Sequence, residues 1–168
     1  CYIPSRTSGF VSKFFNNMIM SSESFQTPEA KNLHSGILKI KDEIMKLFDQ
    51  RQFSKASRLV ISHIESVNEY VNSKEPWVLA KNESNHHEKS TLHEICSASL
   101  HSFRLLSIYL SPVMPNLSGK VAEFFNEEEF LSLDRLINEP LSINKYRHLL
   151  KRIEQNDIDL MVKKNTKI

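Results

Sequence analysis

Glycine is scarce in this chain. There are three in 168 residues, Gly9, Gly36 and Gly119, against roughly 7% in ordinary proteins. That scarcity disfavours sheet folds built on tight turns and glycine-lined loops that cradle phosphates, and an all-α fold is the natural expectation. Cysteine is scarce too. Cys1 and Cys96 lie far apart in sequence, too few for a disulfide framework, and read as two reduced thiols in a reducing, cytoplasmic compartment. No apolar run approaches the roughly 20 residues that a membrane helix needs, so no membrane partner is expected. The opening stretch CYIPSRTSGF is neither a signal peptide nor a start at methionine, and reads as the beginning of a piece of a larger protein. Strong charge of one sign is also missing: Lys and Arg total 22 against 20 for Asp and Glu. That balance is too mild for a polybasic binder, so any nucleic-acid site must be local.

What is present is helical periodicity. The length suits one domain, burying roughly two thirds of the surface its unfolded form exposes. Thr27 as N-cap and Pro28 at the first helical position open a helix predicted to run to Arg51, with Leu33, Ile37, Ile40, Ile44 and Leu47 drawing one apolar face that Phe48 widens. Gly36 inside it suggests a close helix crossing. Ser54 is the expected cap of the next helix, whose stripe of Ala56, Val60, Ile64, Val67 and Val71 ends or bends at Pro76. Thr91 and Glu94 form a capping-box pattern for a third long helix, with Leu92, Cys96, Ser99, Phe103, Leu106 and Leu110 spaced as a bundle seam that must stop near Pro112 and Pro115. A shorter helix is expected from Leu117 to Phe125, and GFVSKFFNNMIM is apolar enough to pack as another. Tyr146, Leu149, Leu150 and Ile153 suggest a helical turn or two. The predicted architecture is an all-α antiparallel bundle of four to five helices with a less regular C-terminal segment.

The candidate chemistry is thin. His86 and His87 adjoin, and His93 and Cys96 stand three residues apart, but adjacent histidines diverge on a helix and no CxxC or HExxH spacing exists, so a structural or solvated role is expected and no metal site. No G-x-S-x-G elbow provides a nucleophile. The acidic run NEEEF, Asn126 to Phe130, reads as a solvated loop. The chain therefore reads as a noncatalytic binding module with no cofactor of its own.

One stretch remains. In NEYVNSKEPWVLAK, Asn68 to Lys81, the chain's single tryptophan, Trp77, follows Pro76 directly, which sets it in the first turn of a helix where backbone donors are still free. Beside Lys74 and Lys81, its flat face suits stacking on an unpaired nucleobase. A lone tryptophan in a helical protein equally suits anchoring a helix joint or bracing a neighbouring domain. Spacing leaves both readings open.

Three blocks in order resemble the anticodon-binding domain of methionyl-tRNA synthetase, a class I enzyme. The family's early SR-x-x-GF block reads Ser5, Arg6, Gly9 and Phe10; its N-x-Y…PW-x-x-AK block reads Asn68, Tyr70, Pro76, Trp77, Ala80 and Lys81; its FR-x-L…L-x-P-x-x-P block reads Phe103, Arg104, Leu106, Leu110, Pro112 and Pro115. A weaker L-x-x-RI feature near Leu149 to Ile153 is similar to the family's returning C-terminal segment. The resemblance implies recognition of the CAU anticodon of methionine tRNA by residues 1–126, with 127–168 an extension packing back on the bundle. It implies that Trp77 and Pro76 hold the first anticodon base and that Arg6 contacts RNA. Where the early block usually has an asparagine, four residues before the arginine, this sequence has Tyr2, which can stack or donate its hydroxyl but cannot reproduce an amide's paired donor and acceptor. Asn68, Tyr70, Lys81 and Arg104 are supporting candidates, Arg104 also being placed to fasten helices through an ion pair. The HIGH and KMSKS sequences for ATP and amino-acid activation are absent. The implied partners are methionine tRNA and the catalytic domain of the same parent, not DNA; the parent would use ATP with magnesium.

Overall fold

The computed structural model describes residues 2–81, 85–128 and 133–149, the side chains of Tyr2 and Ile3 excepted. Among the described residues there are seven α-helices: α1 (Tyr2–Phe14), α2 (Pro28–Lys39), α3 (Lys41–Asp49), α4 (Phe53–Lys74), α5 (Pro76–Leu79), α6 (His86–Leu110) and α7 (Pro115–Phe124). Five of them have ten residues or more, and the sole β-type pairing among the described residues is an isolated bridge from Met18 to Ser142. The all-α expectation holds.

The organiser is α6. It packs against α1, α2, α4, α5 and α7, so its seam is a wrapped cylinder: Leu92, Cys96, Leu100, Leu105 and Tyr109 are buried on several sides. Small hydroxyl residues let neighbours approach. Ser99 and Ser107 return their hydroxyls to the carbonyls of Ile95 and Phe103, at 2.6 and 2.8 Å, and so bury no unpaired donor. Polar side chains one turn apart on α6 serve the α1–α2 connector. His93 and His101 donate from Nε2 to the carbonyls of Met18 and Met20 at 2.9 and 2.8 Å, while Ser97 Oγ accepts from the Met20 amide at 2.9 Å. A connector lying on a core must satisfy its backbone in this way.

Several local expectations change. The helix foreseen from Thr27 to Arg51 is two, because the chain breaks at Ile40 (φ −79°, ψ −1°) between α2 and α3; the apolar positions on either side still face the core. Thr27 caps α2 as foreseen, accepting from the Ala30 amide. No close crossing occurs at Gly36: a Cβ added there would meet nothing within 4 Å. The N-cap of α4 is Gln52 rather than Ser54, without a side-chain hydrogen bond. Nor do Thr91 and Glu94 form a capping box. Asn85 caps α6, accepting from the amides of His87 and Glu88, and Thr91 hydrogen-bonds the His87 carbonyl within the helix. Glu94 is buried and accepts instead from the Thr27 and Gln26 amides at 2.8 and 3.1 Å. At the amino end the helix stops at Phe14, ahead of Asn16 and Asn17, both in the left-handed region (φ 50° and 61°), a conformation asparagine tolerates best among residues with a Cβ.

The described part of the C-terminal segment lies along the bundle. After a 3-10 turn (Leu133–Ile137), residues 138–149 form no helix, so the turns expected at Tyr146 and Leu149 are absent; Leu150 and Ile153 lie outside the described residues. Leu136, Ile143 and Leu149 are buried in the shared core. Backbone bonds from Ile19 to the Leu141 carbonyl and from Ile143 to the Asn17 carbonyl, both 2.9 Å, pair this strap with the α1–α2 connector. Arg104, only 1% exposed, clamps it from α6: Nη2 meets Glu127 Oε1 at 2.6 Å and the Arg135 carbonyl at 2.8 Å.

Candidate nucleic-acid interface

The turn holding Trp77 is built by a sharp interruption. Helix α4 ends at Lys74, and Glu75 takes a left-handed conformation (φ 44°, ψ 55°) while its amide returns to the Val71 carbonyl at 3.1 Å. Proline cannot extend α4 but has the dihedral that opens a helix; Pro76 is accordingly buried at the first position of α5. The bend turns the next side chain outward. Trp77 is half-buried, its inner part packed on the core and the remainder open to solvent.

Arg6, exposed on α1, reaches this turn from 71 positions earlier in the chain (77 minus 6), and its Cζ lies over the indole at 5.8 Å from the ring centroid. A guanidinium above an indole is an attractive cation–π arrangement, worth about 0.5–1 kcal/mol at an exposed site. It also sets a cation against one face of the ring. Three of the sequence-predicted site residues, Arg6, Pro76 and Trp77, therefore meet in one place.

The others are distributed differently. Lys81 is exposed in the turn after α5, its amide bonded to the Val78 carbonyl at 3.1 Å. Lys74 pairs with Glu29 at 2.9 Å, and its hydrogen bond and charge hold that carboxyl below the usual range. Asn68 is half-buried on α4. Tyr70, on the same helix, is 8% exposed; burial, then the charges of Glu94 and Glu29, raise its phenol well above the ordinary value. Thr27 is close enough to oppose that shift, though not placed to hydrogen-bond the hydroxyl, which has no partner. Arg104 is buried in its clamp on Glu127 and Arg135, away from solvent. Tyr2 begins α1, outside the residues whose side chains are described.

The histidines have structural work. His93 stacks on Phe15 with centroids 3.9 Å apart and planes 9° from parallel, and His86 and His87 are exposed in the first turn of α6. Burial raises the Cys96 thiol far out of the reactive range. Among the described residues no three His, Cys, Asp or Glu side chains gather as a metal site, and no helix is long and apolar enough to cross a membrane.

Sequence comparison then decides the relationship. The chain is 36% identical over 162 residues to the methionine–tRNA ligase of a Psychrobacter species, 37% identical over 163 residues to that of Psychrobacter cryohalolentis, and 33% identical over 165 residues to that of Cupriavidus pinatubonensis. The chain is homologous to the methionyl-tRNA synthetases. These matches cover 95–97% of the chain but only 22–23% of each relative, so it spans under a quarter of their length. No protein-family profile matches. The fold also matches free Mycobacterium tuberculosis methionyl-tRNA synthetase, with a TM-score of 0.81 at 15% identity over 90% of this chain and 31% of that one; a methionyl-adenylate complex of the same enzyme gives 0.77 at 14% identity. The resemblance read from the three sequence blocks is thereby borne out.

What the sequence blocks leave out is the rest of the α1 flank. Phe10 appears in them only as a motif position, and Lys13 and Phe14 not at all. Their signal was available: from Cys1 to Ser22 there is no acidic residue, while Arg6 and Lys13 are both basic.

Proposed function

We propose that this chain is the tRNA-binding module of a methionyl-tRNA synthetase and that the surface around Trp77 receives the CAU anticodon of methionine tRNA. The Arg6 guanidinium over the Trp77 ring carries this reading. The part of the indole open to solvent gives an unpaired base a stacking surface, the cation over the ring favours phosphate, and Pro76 fixes the turn that presents the ring. Residues 1–126 supply this bundle and 127–168 an extension to it. Tyr2 stands where the family's asparagine would read a base edge; Asn68 and Tyr70 support the turn from α4, and Lys81 adds charge to its rim. Methionine activation with ATP and magnesium is assigned to the catalytic domain of the parent enzyme, in the cytoplasm, and the module itself is noncatalytic.

Trp77, the single tryptophan, reports binding by its fluorescence in every chain that keeps it, and the anisotropy of a dye-labelled stem-loop reports binding in all chains, Trp77→Ala included. The chain is titrated with a CAU anticodon stem-loop and with one changed at the first anticodon base. Quenching with the first, weaker binding of the second, and a loss of about 1–3 kcal/mol in Trp77→Ala with folding retained support the reading. Equal affinity for both stem-loops, or an unaffected Trp77→Ala, assigns Trp77 to bracing a helix joint or neighbouring domain.

A further inference from the structure

The Arg6–Trp77 contact is the end of a longer row. Along α1 from Arg6 lie Phe10, Lys13 and Phe14: the rings of Phe10 and Phe14 are stacked, centroids 6.5 Å apart and planes 21° from parallel, and Lys13 Nζ lies 4.5 Å from the Phe14 ring centroid. Arg6 and Lys13 are exposed and the two phenylalanines half-buried. Residues 6, 10 and 14 are four apart, so they share one side of the helix and span about 12 Å along it, more than a single base occupies. No acidic residue occurs on α1, nor before Glu23 in the chain. Basic groups alternating with partly exposed rings on a helix without acidic residues form the arrangement that holds single-stranded nucleic acid, cations meeting phosphates and rings meeting bases or sugars. A protein partner would be expected to find a larger apolar face, since the phenylalanines expose only their outer parts.

We infer that α1 is the second half of the RNA footprint: Lys13 contacts the phosphate, and Phe10 and Phe14 the base or sugar, of the nucleotide next to the base stacked on Trp77. This inference rests on the reading of the Trp77 surface as an RNA site but adds different residues to it. It assigns those residues to affinity, while base choice stays at Trp77.

The test uses the 168-residue chain and the anisotropy of a dye-labelled CAU stem-loop, which also reads Trp77→Ala, with Lys13→Gln, Lys13→Arg, Phe14→Leu and, as a control, Lys39→Gln on α2. Lys13→Gln is expected to weaken binding several-fold in low salt and to reduce the slope of log affinity against log salt by ~0.7, the value for one phosphate on a single strand. Lys13→Arg should restore both. Phe14→Leu, which keeps an apolar side chain on the core, should weaken binding with the slope unchanged; Lys39→Gln should do neither. Preference for the first anticodon base should survive in all four. Lys13→Gln with wild-type affinity and slope, while Trp77→Ala still loses binding, overturns the α1 footprint and leaves the Trp77 reading standing. Loss in Lys13→Gln with none in Trp77→Ala keeps the footprint and removes the role given to Trp77.

Discussion

Glu94, buried in the middle of α6, accepts a hydrogen bond from the amide of Thr27 at 2.8 Å and thereby holds the start of a helix 67 positions away. Its two oxygens also take the Gln26 amide, at 3.1 Å, and the Thr27 hydroxyl. Bonds to a charged acceptor contribute about 1.5–3 kcal/mol each, and donors left buried cost more than the bond alone. Glu94→Ala should therefore lower unfolding free energy by about 3 kcal/mol, whereas Thr27→Ala, which leaves both amides paired, should cost about 1 kcal/mol. Urea denaturation of the two variants checks the ratio; equal losses would contradict it.

Gly36→Ala should stabilise the chain. The residue lies inside α2 where an added Cβ meets nothing within 4 Å, so alanine removes the backbone freedom of glycine without a clash, a gain of about 0.5–1 kcal/mol. A rise in the denaturation midpoint is the expected outcome. A fall would mean that neighbouring side chains need the space after all.

Glu75→Gly tests the bend before Trp77. A residue with a Cβ held at φ 44° is strained, and glycine relieves that strain while adding freedom to the unfolded chain, for a net gain of up to about 1 kcal/mol. Glu75→Val should instead destabilise, since a branched Cβ tolerates this region poorly. Thermal melts of the pair should move in opposite directions, and a common direction would contradict the assignment of strain.

Stability should fall in mild acid. Burial holds His34, His93 and His101 below the ordinary imidazole value, opposed at His34 by the nearby Glu139 carboxylate and reinforced by Arg104. The folded state thus resists protons that the unfolded chain accepts, so stability is complete above about pH 6.5 and declines as pH drops through that value toward the folded pKa. Glu139 adds a second decline lower down. Burial alone would raise its pKa, but hydrogen bonds from Ser22 and Ser21 more than reverse this; its contribution is present above the ordinary glutamate pKa and lost as pH falls through the lowered one. Denaturation midpoints measured from about pH 8 to about pH 5 should decrease, and His34→Gln should flatten the slope. A flat wild-type profile would contradict this account.

The long helices are legible in the sequence because their apolar stripes recur at helical spacing: Ala56, Val60, Val67 and Val71 are buried as that spacing requires. Ends and breaks are less legible. Periodicity continues through Ile40 although the backbone does not, and Glu94 has the residue type and position of a capping box while its carboxylate serves another helix. Such choices depend on which long-range partner competes for a polar group, and no local pattern encodes that. The same limit applies at the candidate site. Pro76 before Trp77 announces a turn, but the position of Arg6 above the ring depends on how α1 settles against α4 and α6.

The Arg104 clamp sets a practical limit on dissection. A chain ended at residue 126 would keep the guanidinium in the core while discarding Glu127 and the Arg135 carbonyl, and removing the carboxylate from a buried ion pair costs about 3–5 kcal/mol. It would also strip Leu136, Ile143 and Leu149 from the packed interior. Any fragment prepared for RNA titration should therefore run at least through Leu149, since a shorter one would report misfolding as weak binding.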